Sequence, residues 1–154
     1  MAEALPSDDQ GRYGIAITRV FDAPRERVWR EWTEPERFAD WFGGPQSHVP
    51  LASVAMDVRE GGRWRLTMFA GEREIHWIGE FHEVSPPERL VFTVTDMPHD
   101  ERREVVTVDL ADLGDGRTEM RFEQRGHMPP DAYERTRAGW GGFFDRIAER
   151  LAAA

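Results

Sequence analysis

Between Asp131 and Ala152, apolar or half-apolar residues recur every three or four positions: Tyr133, Thr136, Trp140, Phe143, Phe144, Ile147 and Leu151. That period places them on one stripe of an α-helix. At about 1.5 Å per residue, such a helix is roughly 33 Å long. Its end signals agree. Pro129 and Pro130 stand where a first helical turn tolerates proline. Asp131 and Glu134 complement the positive end of the helix dipole, and Arg146 and Arg150 the negative end. The rings near the middle of the stripe need a large apolar cover, and residues 13–125 read as that cover.

Gly139, Gly141 and Gly142 interrupt the helix, each at a cost of about 1 kcal/mol relative to alanine. Gly139 and Gly141 flank Trp140 on the helical wheel, and Gly142 points away from the stripe. Close helix–sheet packing beside the indole is the preferred reading. Room for a ligand is the alternative.

Residues 1–12 show no such period and read as a disordered tail, leaving residues 13–154 as a single domain. Tyr13 to Phe21 alternates as a strand, with Ile15, Ile17 and Phe21 on one face. Arg19 shares that parity and reads as a structural, buried ion-pair partner. Pro24 opens a short helix containing Val28, Trp29 and Trp32. Thr33-Glu34-Pro35-Glu36 reads as the capping box of a second, running to about Trp41. Gly43 to Ala52 is a loop. From Ser53 the period becomes two. Val54, Met56 and Val58 alternate, and Gly61-Gly62 supplies the positive-φ positions of a tight hairpin. Trp64, Leu66 and Met68 follow, then Ile75, Trp77, Gly79 and Phe81, each set facing inward. Leu90, Phe92 and Val94 form the next strand, and Val106, Val108 and Leu110 another. After a turn at Gly114-Asp115-Gly116, Thr118, Met120, Phe122 and Gln124 complete the sheet. The chain is therefore α+β. Consecutive hairpins imply an antiparallel sheet with one buried face, and the long helix is its natural cover.

Composition narrows the function classes. With 29 acidic against 20 basic residues the net charge is −9, and no basic cluster stands out. Nucleic acid and anionic membrane are poor partners for such a surface. There is no cysteine, hence no disulfide or thiol chemistry. No apolar run approaches the ~20 residues needed to span a bilayer. The acidic first ten residues lack a signal pattern, so a cytoplasmic protein is expected.

Candidate chemistry is sparse. His76 and His82 share a strand face but lie roughly 20 Å apart, too far to share a metal. No metal and no cofactor are expected. None of the serines lies in a nucleophile elbow. Gly61-Gly62 and Gly141-Gly142 lack phosphate-loop spacing. Asp57 and Glu83 end apolar strands, and Glu83 has inward parity. A carboxyl forced inside could act as an acid or base, but a bulge or the Pro86-Pro87 turn is expected to return Glu83 to water or to an arginine. No catalytic residue is assigned.

Several segments together resemble one family. Val20 to Pro45 (VFDAPRERVWREWTEPERFADWFGGP), Met56 to Arg65 (MDVREGGRWR), Gly79 to Thr93 (GEFHEVSPPERLVFT), Gly114 to Phe122 (GDGRTEMRF) and the Gly139-Trp140 pair are similar to the AHSA1-like (activator of Hsp90 ATPase homologue 1-like) proteins of the START/Bet v1-like (SRPBCC) superfamily. The resemblance runs in order over nearly all of residues 15–152. It implies a helix-grip fold: a curved seven-stranded antiparallel sheet wrapped round the C-terminal helix, with two short helices after the first strand. Members commonly enclose an apolar cavity between helix and sheet. No catalytic set is shared across the family.

Helix stripe and inner sheet face together offer Trp64, Met68, Trp77, Phe81, Phe92, Trp140 and Phe144 as cavity-lining residues. The leading expectation is a domain that binds a hydrophobic or aromatic small molecule in that cavity. An enzyme of the polyketide-cyclase kind would use the same cavity with one or two polar residues. An Hsp90-type chaperone-interacting protein, which the family name suggests, ranks third, since the eukaryotic activators carry an additional N-terminal domain that this 154-residue chain is expected to lack. A homodimer is compatible with all three readings.

Overall fold

The computed structural model describes residues 2–153; the first residue of the expected tail and the last of the domain lie outside them. In chain order the elements are β1 (Ala2–Leu5), β2 (Tyr13–Phe21), α1 (Arg25–Thr33), α2 (Pro35–Trp41), a 3-10 turn (Leu51–Ser53), β3 (Ala55–Met56), β4 (Arg63–Ala70), β5 (Arg73–Ser85), β6 (Arg89–Val94), β7 (Glu104–Asp112), β8 (Thr118–Gly126) and α3 (Pro130–Ala153). The strands form one sheet in the order β1-β2-β8-β7-β6-β5-β4-β3. Every pairing is antiparallel. The sheet grips α3, and the two short helices close one end of the core. This is the expected helix-grip class.

Two details of the sheet differ from expectation. The sheet has eight strands rather than seven, because residues 2–5 of the expected disordered tail pair with β2, Ala2 opposite Ile17 and Leu5 opposite Gly14. The strand β1 is largely exposed and carries no apolar alternation. Backbone hydrogen bonds hold it, and these leave no hydrophobic signature. The turn into β2 is built by Asp8, whose Oδ1 accepts the backbone N–H of Arg12 at 2.8 Å and of Gln10 at 3.0 Å. The Arg12 N–H, then that of Gln10 and the Arg12 guanidinium, hold the Asp8 carboxyl below its ordinary range against the cost of desolvation. Of the Gly61-Gly62 pair, only Gly61 has positive φ. Gly62 is needed for closeness instead, since a β-carbon there would lie 1.9 Å from the Asp57 carbonyl oxygen.

The capping box also fails to form. Glu34 caps α2 without a side-chain hydrogen bond. Thr33 remains in the last turn of α1, and its hydroxyl donates to the Trp29 carbonyl at 2.9 Å, the local bond that competes with capping.

The core is aromatic. Trp32 of α1 lies at its centre, with the rings of Trp41, Phe92, Phe122, Trp140 and Phe144 between 4.8 and 6.3 Å away. Tyr133, Trp140, Phe144, Ile147 and Leu151 of the helical stripe are buried. Ile15, Ile17 and Phe21 are buried from β2. Arg19 escapes its parity by snorkelling. Its guanidinium lies 5.8 Å above the Phe21 ring and pairs with Asp145 of α3 at 2.6 Å, with side chains 30% and 66% exposed. The tie is therefore at the surface and not buried. Glu83 follows a bulge after Phe81 and pairs with Arg89 at 3.2 Å. Asp57 pairs with Arg59 at the surface.

One buried carboxylate has no sequence signal. Glu31 of α1 is 1% exposed. It meets Arg150 of α3 at 2.6 Å and Arg37 of α2 at 3.4 Å. Arg150 also reaches Asp40, as does Arg146. This knot pins the C-terminal half of α3 to both short helices.

Candidate functional site

The N-terminal half of α3 leaves a cleft of about 550 Å³ against the sheet. Its walls come from Phe42 and Gly43 after α2, Met68 of β4, Trp77 of β5, Val94 of β6, the segment after it, and Thr136, Gly139, Trp140 and Phe143 of α3. Gly139 borders the space. Nothing lies within 4 Å of where a β-carbon on Gly139 would sit. The same is true of Gly141 and Gly142. Close helix–sheet packing, the preferred reading of these glycines, is thereby corrected. The stripe continues past Gly139, but the sheet does not close on it there.

The apolar part of the wall is a set of crossed rings. Phe42 lies 5.8 Å from Trp77 at an interplanar angle of 89°, and 6.1 Å from Trp140 at 68°. Trp140 lies 5.4 Å from Phe143 at 71°. These edge-to-face geometries are favoured for aromatic pairs. Gly43, with φ +97°, leaves room for the Met68 methyl group, which a β-carbon would meet at 2.6 Å.

The polar part is a hydrogen-bonded chain. Trp140 Nε1 donates to Gln124 Oε1 at 2.7 Å, and Gln124 Nε2 donates to Glu104 Oε1 at 2.9 Å. Tyr133 Oη donates to the same oxygen at 2.7 Å, and the backbone N–H of His127 to Oε2 at 3.1 Å. Burial and the Glu104 carboxylate push the Tyr133 hydroxyl well above the ordinary tyrosine range. Gly126 is opposite Glu104 across the β7–β8 pair, and its missing side chain admits the carboxylate. At the mouth, the Arg102 guanidinium and backbone N–H draw the Asp100 carboxyl down to about 2.

This arrangement can hold a molecule with an apolar body and a polar end. The Thr136 hydroxyl is committed to the Ala132 carbonyl at 3.1 Å. Among the described residues, no group of three or more His, Cys, Asp or Glu side chains is placed to hold a metal. A wider groove of about 880 Å³ lies on the outer sheet face beside Arg63, Arg65, Glu80 and His82. Its charged, solvent-facing lining makes it a poorer candidate than the aromatic cleft.

The seven residues expected around a cavity divide into two groups. Met68, Trp77 and Trp140 stand on the cleft wall. Trp64, Phe81, Phe92 and Phe144 do not, and instead pack in the core. Trp64 is fixed there by its Nε1 donating to the Thr93 carbonyl at 3.0 Å. Gly79 permits that bond: a β-carbon would lie 1.8 Å from the Thr93 oxygen and 2.3 Å from Trp64 Nε1. Phe42, Phe143, Glu104 and Gln124 were not anticipated on the wall. Gln124 carried a signal, being a polar residue at inward parity. Glu104 carried none, standing at the first position of its strand.

A long helix gripped by a curved antiparallel sheet, with space left between them, defines a helix-grip protein of the START/Bet v1-like kind. The chain belongs to the activator of Hsp90 ATPase homolog 1-like family, whose profile matches residues 22–152. Solved structures agree on the fold. Protein CV1439 of Chromobacterium violaceum is 26% identical, with a TM-score of 0.78 over 90% of this chain and 96% of its own. Protein SA2116 of Staphylococcus aureus, described as of unknown function, is 18% identical with a TM-score of 0.81 over 92% and 94%. The AHSA1 protein of Silicibacter pomeroyi is 20% identical with a TM-score of 0.76 over 91% and 98%. A comparison with curated proteins found no match. Among the described residues, no helix is long and apolar enough to cross a membrane.

Proposed function

We propose that this chain binds a small hydrophobic or aromatic molecule in the cleft between α3 and the sheet. Met68, Trp77 and Trp140 are its expected contacts, joined by Phe42 and Phe143. The observation that carries this reading is the open space beside Gly139, walled by rings yet floored by a hydrogen-bonded chain. The rings above such a floor gain most when water is displaced. A polyketide-cyclase type of reaction would require a wall group free to move a proton. Glu104, the carboxylate of the floor, already accepts three hydrogen bonds, which makes it poorly placed for that role.

Native mass spectrometry of the purified protein tests the proposal, together with a tryptophan-fluorescence titration by the neutral probe phenylbutanol. A retained small-molecule mass, or saturable quenching weakened by Phe143→Ala, is the expected result. No retained mass together with no saturable quenching overturns it. Specific capture of an Hsp90-type chaperone would move the reading toward the chaperone contact that the family description suggests.

A further inference from the structure

We propose that the cleft selects a hydrophobic organic cation, an alkyl or arylalkyl amine in its ammonium form, over neutral or anionic molecules of the same shape. This rests on the binding reading above and names its ligand class.

Hydrogen-bonding capacity on the wall is lopsided. The donors are mostly used within the protein: Trp140 Nε1 by Gln124, the Gln124 amide by Glu104, Thr136 by Ala132, and the Arg102 guanidinium by Asp100; among the described residues the exception on the wall is the buried Trp77 Nε1, which has no partner. Acceptors remain. A carboxylate offers about four lone-pair sites, and Glu104 receives three protein donors. Among the described residues no cation lies within ion-pair distance of Glu104 or of Asp96 at the mouth, although both line the cleft. A ligand that brings donors and positive charge completes this wall. One that brings an anion meets two carboxylates that have no ion-pair partner among the described residues.

The rings point the same way. Phe42, Trp77, Trp140 and Phe143 line the cleft in crossed orientations. Aromatic faces attract a desolvated ammonium through their quadrupoles, tryptophan most strongly. Gln124 links the Trp140 indole to Glu104 through two hydrogen bonds of 2.7 and 2.9 Å, so ring and carboxylate belong to one rigid unit. The chain's net charge of −9 also raises the local concentration of cations.

The test compares phenylbutylamine, phenylbutanol and phenylbutyrate by tryptophan fluorescence and calorimetry at about pH 8.5, where the amine remains charged. The amine is expected to bind about tenfold more tightly than the alcohol, and the carboxylate most weakly. Glu104→Gln is expected to abolish the preference, bringing the ratio of amine to alcohol affinity to about one. Trp77→Leu, which leaves the carboxylate in place, is expected to reduce the amine preference by a few-fold. The wild-type comparison stands even where a variant fails to fold. Equal affinity for amine and alcohol overturns the cation preference and leaves the binding proposal intact, as does tightest binding of phenylbutyrate. No saturable binding of any of the three overturns both.

Discussion

Gly126 and Glu104 face each other across β8 and β7 so closely that a β-carbon on the glycine would lie 1.7 Å from Glu104 Oε2. The carboxylate occupies the place of a side chain, and from there it gathers Gln124, Tyr133 and the His127 N–H. Gly126→Ala is therefore expected to displace Glu104 and strand those donors, at a cost of roughly 2–4 kcal/mol. Urea unfolding measures it. In a Glu104→Ala background the same glycine substitution should cost much less, because the clashing atoms are gone. Equal costs in both backgrounds would show that the clash is not what matters.

Tyr133 makes stability depend on alkaline pH. Its folded-state pKa is raised above the unfolded value of about 10. The folded state thus keeps a proton that the unfolded state gives up. The stabilisation is full below about pH 10 and is lost as pH rises through the folded pKa. Between about pH 9 and 11.5 the wild type should lose unfolding free energy more steeply than Tyr133→Phe, which has no proton to lose. Parallel pH profiles for the two proteins would contradict this.

Arg150 neutralises most of the charge on Glu31, which is 1% exposed. Replacing Arg150 by Met leaves a buried carboxylate with only the 3.4 Å contact to Arg37. A loss of roughly 3 kcal/mol is expected, seen as a lower midpoint of chemical denaturation. A loss under about 1 kcal/mol, the usual worth of an exposed pair, would mean that water reaches Glu31.

Two glycines should respond with opposite signs. Gly142→Ala is expected to stabilise the protein by about 0.5–1 kcal/mol, since its φ is not positive and nothing lies within 4 Å of the added carbon. Gly79→Ala must push β6 away or break the Trp64–Thr93 bond, and should destabilise by about 2 kcal/mol or more. Differential scanning calorimetry on both variants decides. Destabilisation by Gly142→Ala would point to a packed face, such as a homodimer contact.

Phe144 and Phe143 are neighbours in sequence with different duties. Phe144 is fully buried against Phe122, with ring centroids 5.2 Å apart. Its truncation to alanine should cost about 3–5 kcal/mol and leave phenylbutanol affinity nearly unchanged. Phe143 lines the cleft. Truncation there should cost less stability and weaken the probe. A reversal of these two outcomes would place the ligand elsewhere.

The sequence by itself determined the periodic elements. The α3 stripe was legible to within a residue or two at each end, because a 3.6-residue period shows in one dimension. Strand parity likewise told which side chains of β4, β5, β6 and β8 face inward, since that choice is local to each strand. Parity does not say how far along the sheet the helix stays in contact. Only the tertiary structure decided that Trp64, Phe81, Phe92 and Phe144 are covered while Met68, Trp77 and Trp140 border open space. It alone also paired β1 with β2 through backbone groups that carry no side-chain signal. Glu104 and Gly126 stand 22 positions apart in the chain, and neither is unusual where it stands. Their meeting depends on the β7–β8 register, a property of two strands at once, and that register is what places a carboxylate in the wall of the cleft.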